Sequence, residues 1–141
     1  MNVHESLAPP AASAFRHSVR VYWEDTDAGG IVYYANYLKF FERARTEWLR
    51  AQGHGQQAMV DATDRMFVVQ ETRVRFASPA RLDDALDVTV QVLERGRASL
   101  RLAQQAWRGD TLLAECDIRI GCVERATLKP RRIPGHLFES L

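Results

Sequence analysis

The sequence predicts an α+β fold in which one long helix lies against a five-stranded antiparallel sheet. Three observations carry this expectation. One segment with two-residue alternation precedes a single run of strong helical periodicity, and four strand-like segments follow it. Two later connectors, Arg95-Gly96-Arg97 and Arg108-Gly109-Asp110, are short enough for hairpins, which makes the strands around them antiparallel neighbours. At 141 residues the chain can also bury one sizeable core, and it carries no internal repeat and no sign of a second domain.

Residues 1–15, MNVHESLAPPAASAF, read as a flexible tail broken by Pro9 and Pro10; without a basic n-region they do not read as a secretory signal. Residues 16–141 then form a single domain. From His17 to Trp23, Val19, Val21 and Trp23 alternate with Ser18, Arg20 and Tyr22, the pattern of a strand. Glu24 to Gly30 breaks the alternation with acids and two glycines, a turn signal. The helix follows, with Tyr37, Leu38, Phe41, Ala44, Arg45, Trp48 and Leu49 on one side and Lys39, Glu42, Arg43, Glu47 and Arg50 mostly on the other. Asn36 suits its N-cap and Gly53 its C′ stop. A short helix is expected around Gln56 to Ala62. Strands are expected over Phe67 to Phe76, Ala85 to Glu94, Ala98 to Arg108 and Thr111 to Glu124, arranged as a meander. The basic, proline-interrupted tail from Arg125 predicts no long element.

Composition narrows the function. With 46% hydrophobic and 26% charged residues the chain has a soluble globular make-up. Nineteen basic against eighteen acidic residues leave no global field, so no nucleic-acid partner is expected. No apolar run approaches the ~20 residues of a transmembrane segment. Cys116 and Cys122 fall six positions apart on one predicted strand, roughly 20 Å from each other, too far for a disulfide. Two buried thiols fit a reducing compartment, which makes the cytoplasm the expected location. The four histidines, His4, His17, His54 and His136, show no metal-ligand spacing. No nucleophile elbow, Walker loop or dinucleotide fingerprint occurs, so neither metal nor cofactor is expected.

What remains is the acidic loop, with Glu24, Asp25 and Asp27 directly before Gly29, Gly30 and the helix start. Two readings stand open. Acidic residues at a turn and a helix N-terminus are ordinary caps that favour the dipole. Alternatively, with the apolar run Ile31-Val32-Tyr33-Tyr34 as walls, a carboxylate there acts as base or nucleophile on a carbonyl while helix-end amides stabilise the oxyanion.

The run EDTDAGGIVYYANYLKFFERARTEWLR resembles the signature of the hotdog-fold acyl-CoA thioesterases, most of all the Tol–Pal-associated (YbgC-type) group and more distantly the 4-hydroxybenzoyl-CoA thioesterases. The similarity continues through FVVQETRVRFASPARLDDALDV and into KPRRIP, and so spans nearly the whole chain after residue 15. It implies a hotdog fold, the sheet wrapped around the helix, and a homodimer or homotetramer with active sites at the subunit interface. It assigns the catalytic aspartate to Asp27, leaves Asp25 to structure the loop, and places the oxyanion donor at the backbone N–H of Tyr34. Relatives of the first group usually read V-Y-H-A-N-Y, so Tyr34 stands where they carry a histidine thought to assist catalysis; the hydroxybenzoyl branch also has tyrosine there. A tyrosine, with an ordinary pKa near 10, cannot serve as base at neutral pH, and the mechanism implied is aspartate plus backbone donor.

By the same resemblance Arg95, Arg97 and Ser99 match the region that meets the CoA nucleotide, where arginine forks suit phosphate; a solvated basic turn is the competing role. Phe67, Val68 and Val69 match cleft-lining positions, with core packing as the competing role, and Tyr33 is counted with the substrate-binding residues. Glu42 reads as an exposed ion-pair partner. The expected activity is hydrolysis of an acyl-CoA thioester to free acid and CoA, with CoA as part of the substrate. One alternative is an acyl-thioester-binding scaffold that docks acyl carrier protein or lipid-synthesis enzymes with little turnover. Another is an enoyl-CoA hydratase of the same fold, opposed by the lack of histidine between Tyr22 and Arg50.

Overall fold

A computed structural model describes residue 10, residues 14–53 and residues 55–135. Most of the expected tail, with His4, His54 and His136, lies outside the described residues. Strand β1 (Phe15–Arg20) is followed by two 3-10 turns, Trp23–Asp25 and Tyr34–Asn36, the second running directly into helix α1 (Tyr37–Ala51). Helix α2 (Gln56–Thr63) and strands β2 (Arg65–Phe76), β3 (Ala85–Arg95), β4 (Ser99–Arg108) and β5 (Thr111–Glu124) complete the chain. This is the hotdog arrangement, and each expected element is present within two residues of its expected ends except at the end of β1.

The strand order differs from a simple meander. It is β1-β3-β4-β5-β2, antiparallel throughout, so only β3, β4 and β5 are consecutive neighbours. β2 pairs with β5 at one edge and β1 with β3 at the other. The connector after β2 is too long for a tight hairpin and crosses the helix entrance instead. There Ala77 N–H bonds to Leu113 O, Val32 N–H to Ala80 O and Val21 N–H to Asp84 O, each at 2.8–2.9 Å. Periodicity reports faces, not partners, so it could not order the strands.

The core forms where α1 lies on β1, β3 and β4. Phe40, Phe41, Ala44, Trp48 and Leu49 meet Leu86, Val88, Val90, Leu100, Leu102 and Ala106. Burying each of the two inaccessible phenylalanines stabilises the fold by on the order of 2–3 kcal/mol. Two expectations for side chains fail here. Leu38 is 44% exposed while Phe40 is fully buried, because the buried stripe runs through residues 37, 40, 41, 44 and 48. Trp23 is 82% exposed instead of sharing a face with Val19 and Val21, because β1 stops at Arg20 and the chain coils into the first 3-10 turn. Gly53 does end the helix, at φ 80° and with its N–H on Arg50 O.

On the other side of the sheet's inner face α1 gives less cover. Val69 and Phe76, on edge strand β2, stay about half exposed. Cys116 and Cys122 both sit buried on β5 as free thiols, and burial pushes both above the ordinary thiol pKa. They are inert core residues.

Candidate active site

The three carboxylates of the acidic loop have separate fates. Asp25 is buried, and both its oxygens are occupied: Oδ2 accepts the Tyr22 N–H at 2.8 Å and Oδ1 accepts Asn36 Nδ2 at 2.7 Å. Its backbone carbonyl accepts the Tyr33 N–H at 2.9 Å. One residue thus ties the end of β1 to the helix entrance, with a hydrogen bond on each carboxylate oxygen. Asn36 holds the N-cap position but caps nothing with its side chain, since its amide goes to Asp25. Glu24 is exposed and lines a separate groove with His17 and Arg43.

Asp27 is exposed at the tip of a tight hairpin. Its N–H donates to Ile31 O at 2.9 Å, Gly30 N–H donates back to Asp27 O at 3.0 Å, and Thr26 bridges Val32. Gly30 adopts φ 79°, a region costly for any other residue. The Gly29 N–H donates to Asp27 Oδ1 at 2.8 Å, so the carboxylate is held by one oxygen and the other is available. A Cβ at Gly29 would come within 3.2 Å of that oxygen.

Five residues on, the chain enters the helix through the second 3-10 turn. Its first bond runs from Asn36 N–H to Tyr33 O at 2.8 Å. The Tyr34 N–H comes before it and has no acceptor among the described residues, as geometry dictates for the first turn of a helix. The Tyr34 ring is 63% exposed and packs on Tyr33, with centroids 5.0 Å apart, and edge-on to Phe76 at 6.1 Å. Below it Tyr37 contacts Phe76 and accepts the Ala80 N–H on its hydroxyl at 3.1 Å; burial raises its phenol pKa. Between these groups lies a mainly apolar cleft of about 290 Å³, walled by Ile31, Val32, Tyr34, Tyr37, Phe76 and Pro79. A larger groove of about 730 Å³ sits at the far end of α1, around Phe15, Trp48, Val90 and Val92. Its walls carry Glu94 and Arg95 but neither Asp27 nor Tyr34, whereas Tyr34 lines the smaller cleft.

The other expected site residues form a second group. Phe67 pairs with Cys122, and Val68, Gly121 and Ser99 stand in one row across β2, β5 and β4. Arg95 ends β3 and Arg97 lies in the following turn. From Val69 to Phe76 is roughly 23 Å along β2. Within one chain, then, Asp27, Tyr33 and Tyr34 come together at one end, and Phe67, Val68, Val69, Arg95, Arg97 and Ser99 at the other. Phe76 and Tyr37 were not expected as cleft walls; the Ser78-Pro79 turn after a strand-ending phenylalanine was the available signal.

The sequence profile of the thioesterase-like superfamily matches residues 21–141. The chain belongs to that family. It is 45% identical over 121 residues to the acyl-CoA thioester hydrolase YbgC of Escherichia coli O157:H7, covering 85% of this chain and 90% of the other. It is 40% identical over 122 residues to the acyl-CoA thioesterase YbgC of Haemophilus influenzae, covering 86% and 90%. Among solved structures, a probable thioesterase from Bartonella henselae superposes with a TM-score of 0.83 at 31% identity, over 86% of this chain and all of the other. The match begins at Val21, and so takes in the acidic loop, both 3-10 turns and the whole of α1. Family membership thus covers both groups of candidate residues.

Proposed function

We propose that this member of the thioesterase-like superfamily hydrolyses acyl-CoA thioesters to a free acid and CoA. Asp27 acts on the carbonyl carbon either through a water that it deprotonates or directly as a transient nucleophile. The new C–O bond pushes charge onto the carbonyl oxygen, which the Tyr34 N–H and the helix end receive. Collapse breaks the C–S bond and the sulfur leaves as CoA, protonated by Asp27 on the water route and by solvent on the nucleophile route. On the latter, water then hydrolyses the acyl–Asp27 anhydride to the free acid and regenerates the carboxylate. The observation that carries this reading is the pairing of a half-tethered, exposed Asp27 carboxylate with a helix entrance whose first N–H is unused. The names of the relatives supply the substrate class. No cofactor or metal enters the scheme.

The site is shared between subunits of a homodimer or homotetramer. Support comes from the separation of the two residue groups and from β2, a twelve-residue edge strand with exposed Val69 and Phe76. Among the described residues no helix is long and apolar enough to cross a membrane, and the two buried free thiols favour the cytoplasm. The test is Asp27→Asn assayed over short, long and aromatic acyl-CoAs. A fall in kcat/KM of about 10² or more is expected across all of them, and unchanged kcat/KM sinks the assignment.

A further inference from the structure

The Asp27 hairpin has a brace along its outer side, and the brace ends on an arginine far along the chain. Among the described residues, the hydrogen bonds of Asp27 all stay inside the hairpin. Its N–H goes to Ile31 O, its carbonyl takes the Gly30 N–H, and its Oδ1 takes the Gly29 N–H. The position of Asp27 is therefore set by what holds the hairpin. At the foot that is Asp25. Along the outer strand it is the connector between β2 and β3, residues 77–84. Val32 N–H donates to Ala80 O at 2.9 Å, and Ile31 bridges Arg81. Residues 26–27, 31–32 and 80–81 thus lie side by side as three short lengths of backbone.

The connector is in turn pinned from three sides. Its Ala80 N–H donates to the buried Tyr37 hydroxyl at 3.1 Å. Asp83 N–H donates to Val21 O at 3.0 Å, and Val21 N–H returns a bond to Asp84 O at 2.9 Å. The third pin is a side chain from another hairpin. Arg108, the last residue of β4, reaches both ends of the connector with a single nitrogen: Nη1 donates to Pro79 O at 3.2 Å and to Asp84 Oδ2 at 2.8 Å. The same Asp84 oxygen accepts the Arg81 N–H at 2.9 Å. Arg108 thereby closes the connector into a ring, with Ala80 and Arg81, the two residues that touch the hairpin, inside it. The side chains of Arg108 and Asp84 are 39% and 22% exposed, so their pairing adds little to global stability. What a charge-assisted bond supplies here is a fixed geometry.

We propose that Arg108 is a positioning residue for Asp27, acting through the connector. This rests on the thioesterase reading above, in which Asp27 is the base or nucleophile. A reacting group displaced from its attack distance loses rate steeply, even when the cause lies far from the chemistry. In Arg108→Ala, kcat falls about tenfold, while the melting temperature stays close to that of the wild type. Arg108→Lys keeps a cation with three donors that can span the same two oxygens, and it restores most of kcat. Arg50→Ala, which breaks an exposed pair with Glu47 near the end of α1, leaves kcat unchanged. A second measurement needs no turnover: hydrogen exchange followed by mass spectrometry. Peptides covering residues 26–33 exchange about tenfold faster in Arg108→Ala and at the wild-type rate in Arg108→Lys, while peptides from the middle of α1 are unchanged. A folded Arg108→Ala with wild-type kcat, a lysine variant as slow as the alanine one, or faster exchange spread evenly over the chain overturns the inference. Should Arg108→Ala not fold, Asp84→Asn, which takes the charge from the other side of the pair, is read by the same two measurements. If the wild type turns over no thioester, the thioesterase reading fails, and exchange over residues 26–33 still decides whether Arg108 holds the hairpin.

Discussion

Asn36 donates its side-chain amide to buried Asp25 at 2.7 Å, across eleven residues of sequence. That bond joins the start of the acidic loop to the start of the helix and brackets Asp27 and Tyr34 between its ends. Asp25→Asn puts an amide where two N–H donors already point, and Asn36→Ala leaves one oxygen of a buried carboxylate unpaired. Either change should cost about 1.5–3 kcal/mol of stability. Either should also lower kcat/KM, since the loop carrying the proposed base loses its anchor. Urea denaturation alongside a thioesterase assay checks this. Wild-type kcat/KM in a destabilised Asn36→Ala protein would mean that the bond serves only the fold.

The sequence could show the parts of this arrangement but not their joining. β3, β4, β5 and α1 were legible because faces repeat at two or 3.6 residues, and hairpins such as Arg108-Gly109-Asp110 set neighbours locally. The place of β2 was hidden because its partner strand begins only after β3 and β4 have passed, and no local rule spans that distance. Trp23 broke its alternation for a local reason that alternation does not report, the Asp25 carboxylate three residues on drawing in the Tyr22 N–H and coiling the chain into a 3-10 turn. Asn36 was expected as a helix cap on grounds of residue type, but a buried charge is the stronger acceptor and took its side chain. Asp27 could be named only through family resemblance. From spacing alone it was one acid among three, and burial is what separates Asp25 from it.

Tyr34 offers a way to test a backbone atom by mutation. The proposal uses its N–H and leaves the phenol idle, and the hydroxyl makes no hydrogen bond among the described residues. Tyr34→Phe should therefore keep kcat within about threefold of wild type. Tyr34→Pro deletes the N–H at the first helical position, where proline is tolerated. The preceding Tyr33, at φ −59° and ψ 129°, already has a backbone that proline accepts after it. A loss of about 10²–10³ in kcat with little change in thermal stability is expected, as for other single oxyanion donors. If Tyr34→Phe is the damaging change and Tyr34→Pro the mild one, the oxyanion donor lies elsewhere.

A shared site makes a quantitative prediction for mixed subunits. Asp27→Asn removes the proposed base from the group at the helix entrance, and Val69→Trp places bulk in the group at the far end of β2. Each variant alone should be nearly inactive. Co-expressed and co-purified, they assemble at random, so about half of all dimers carry one subunit of each kind. In such a dimer one site receives both defects and the other receives neither, provided each site takes its Asp27 from one subunit and its Val69 from the other. Total activity should then recover to about a quarter of wild type. Sites built within single chains would give no recovery, because every site would keep one defect. Measuring the mixture against each parent variant, with the ratio of chains fixed by mass spectrometry, separates the two cases.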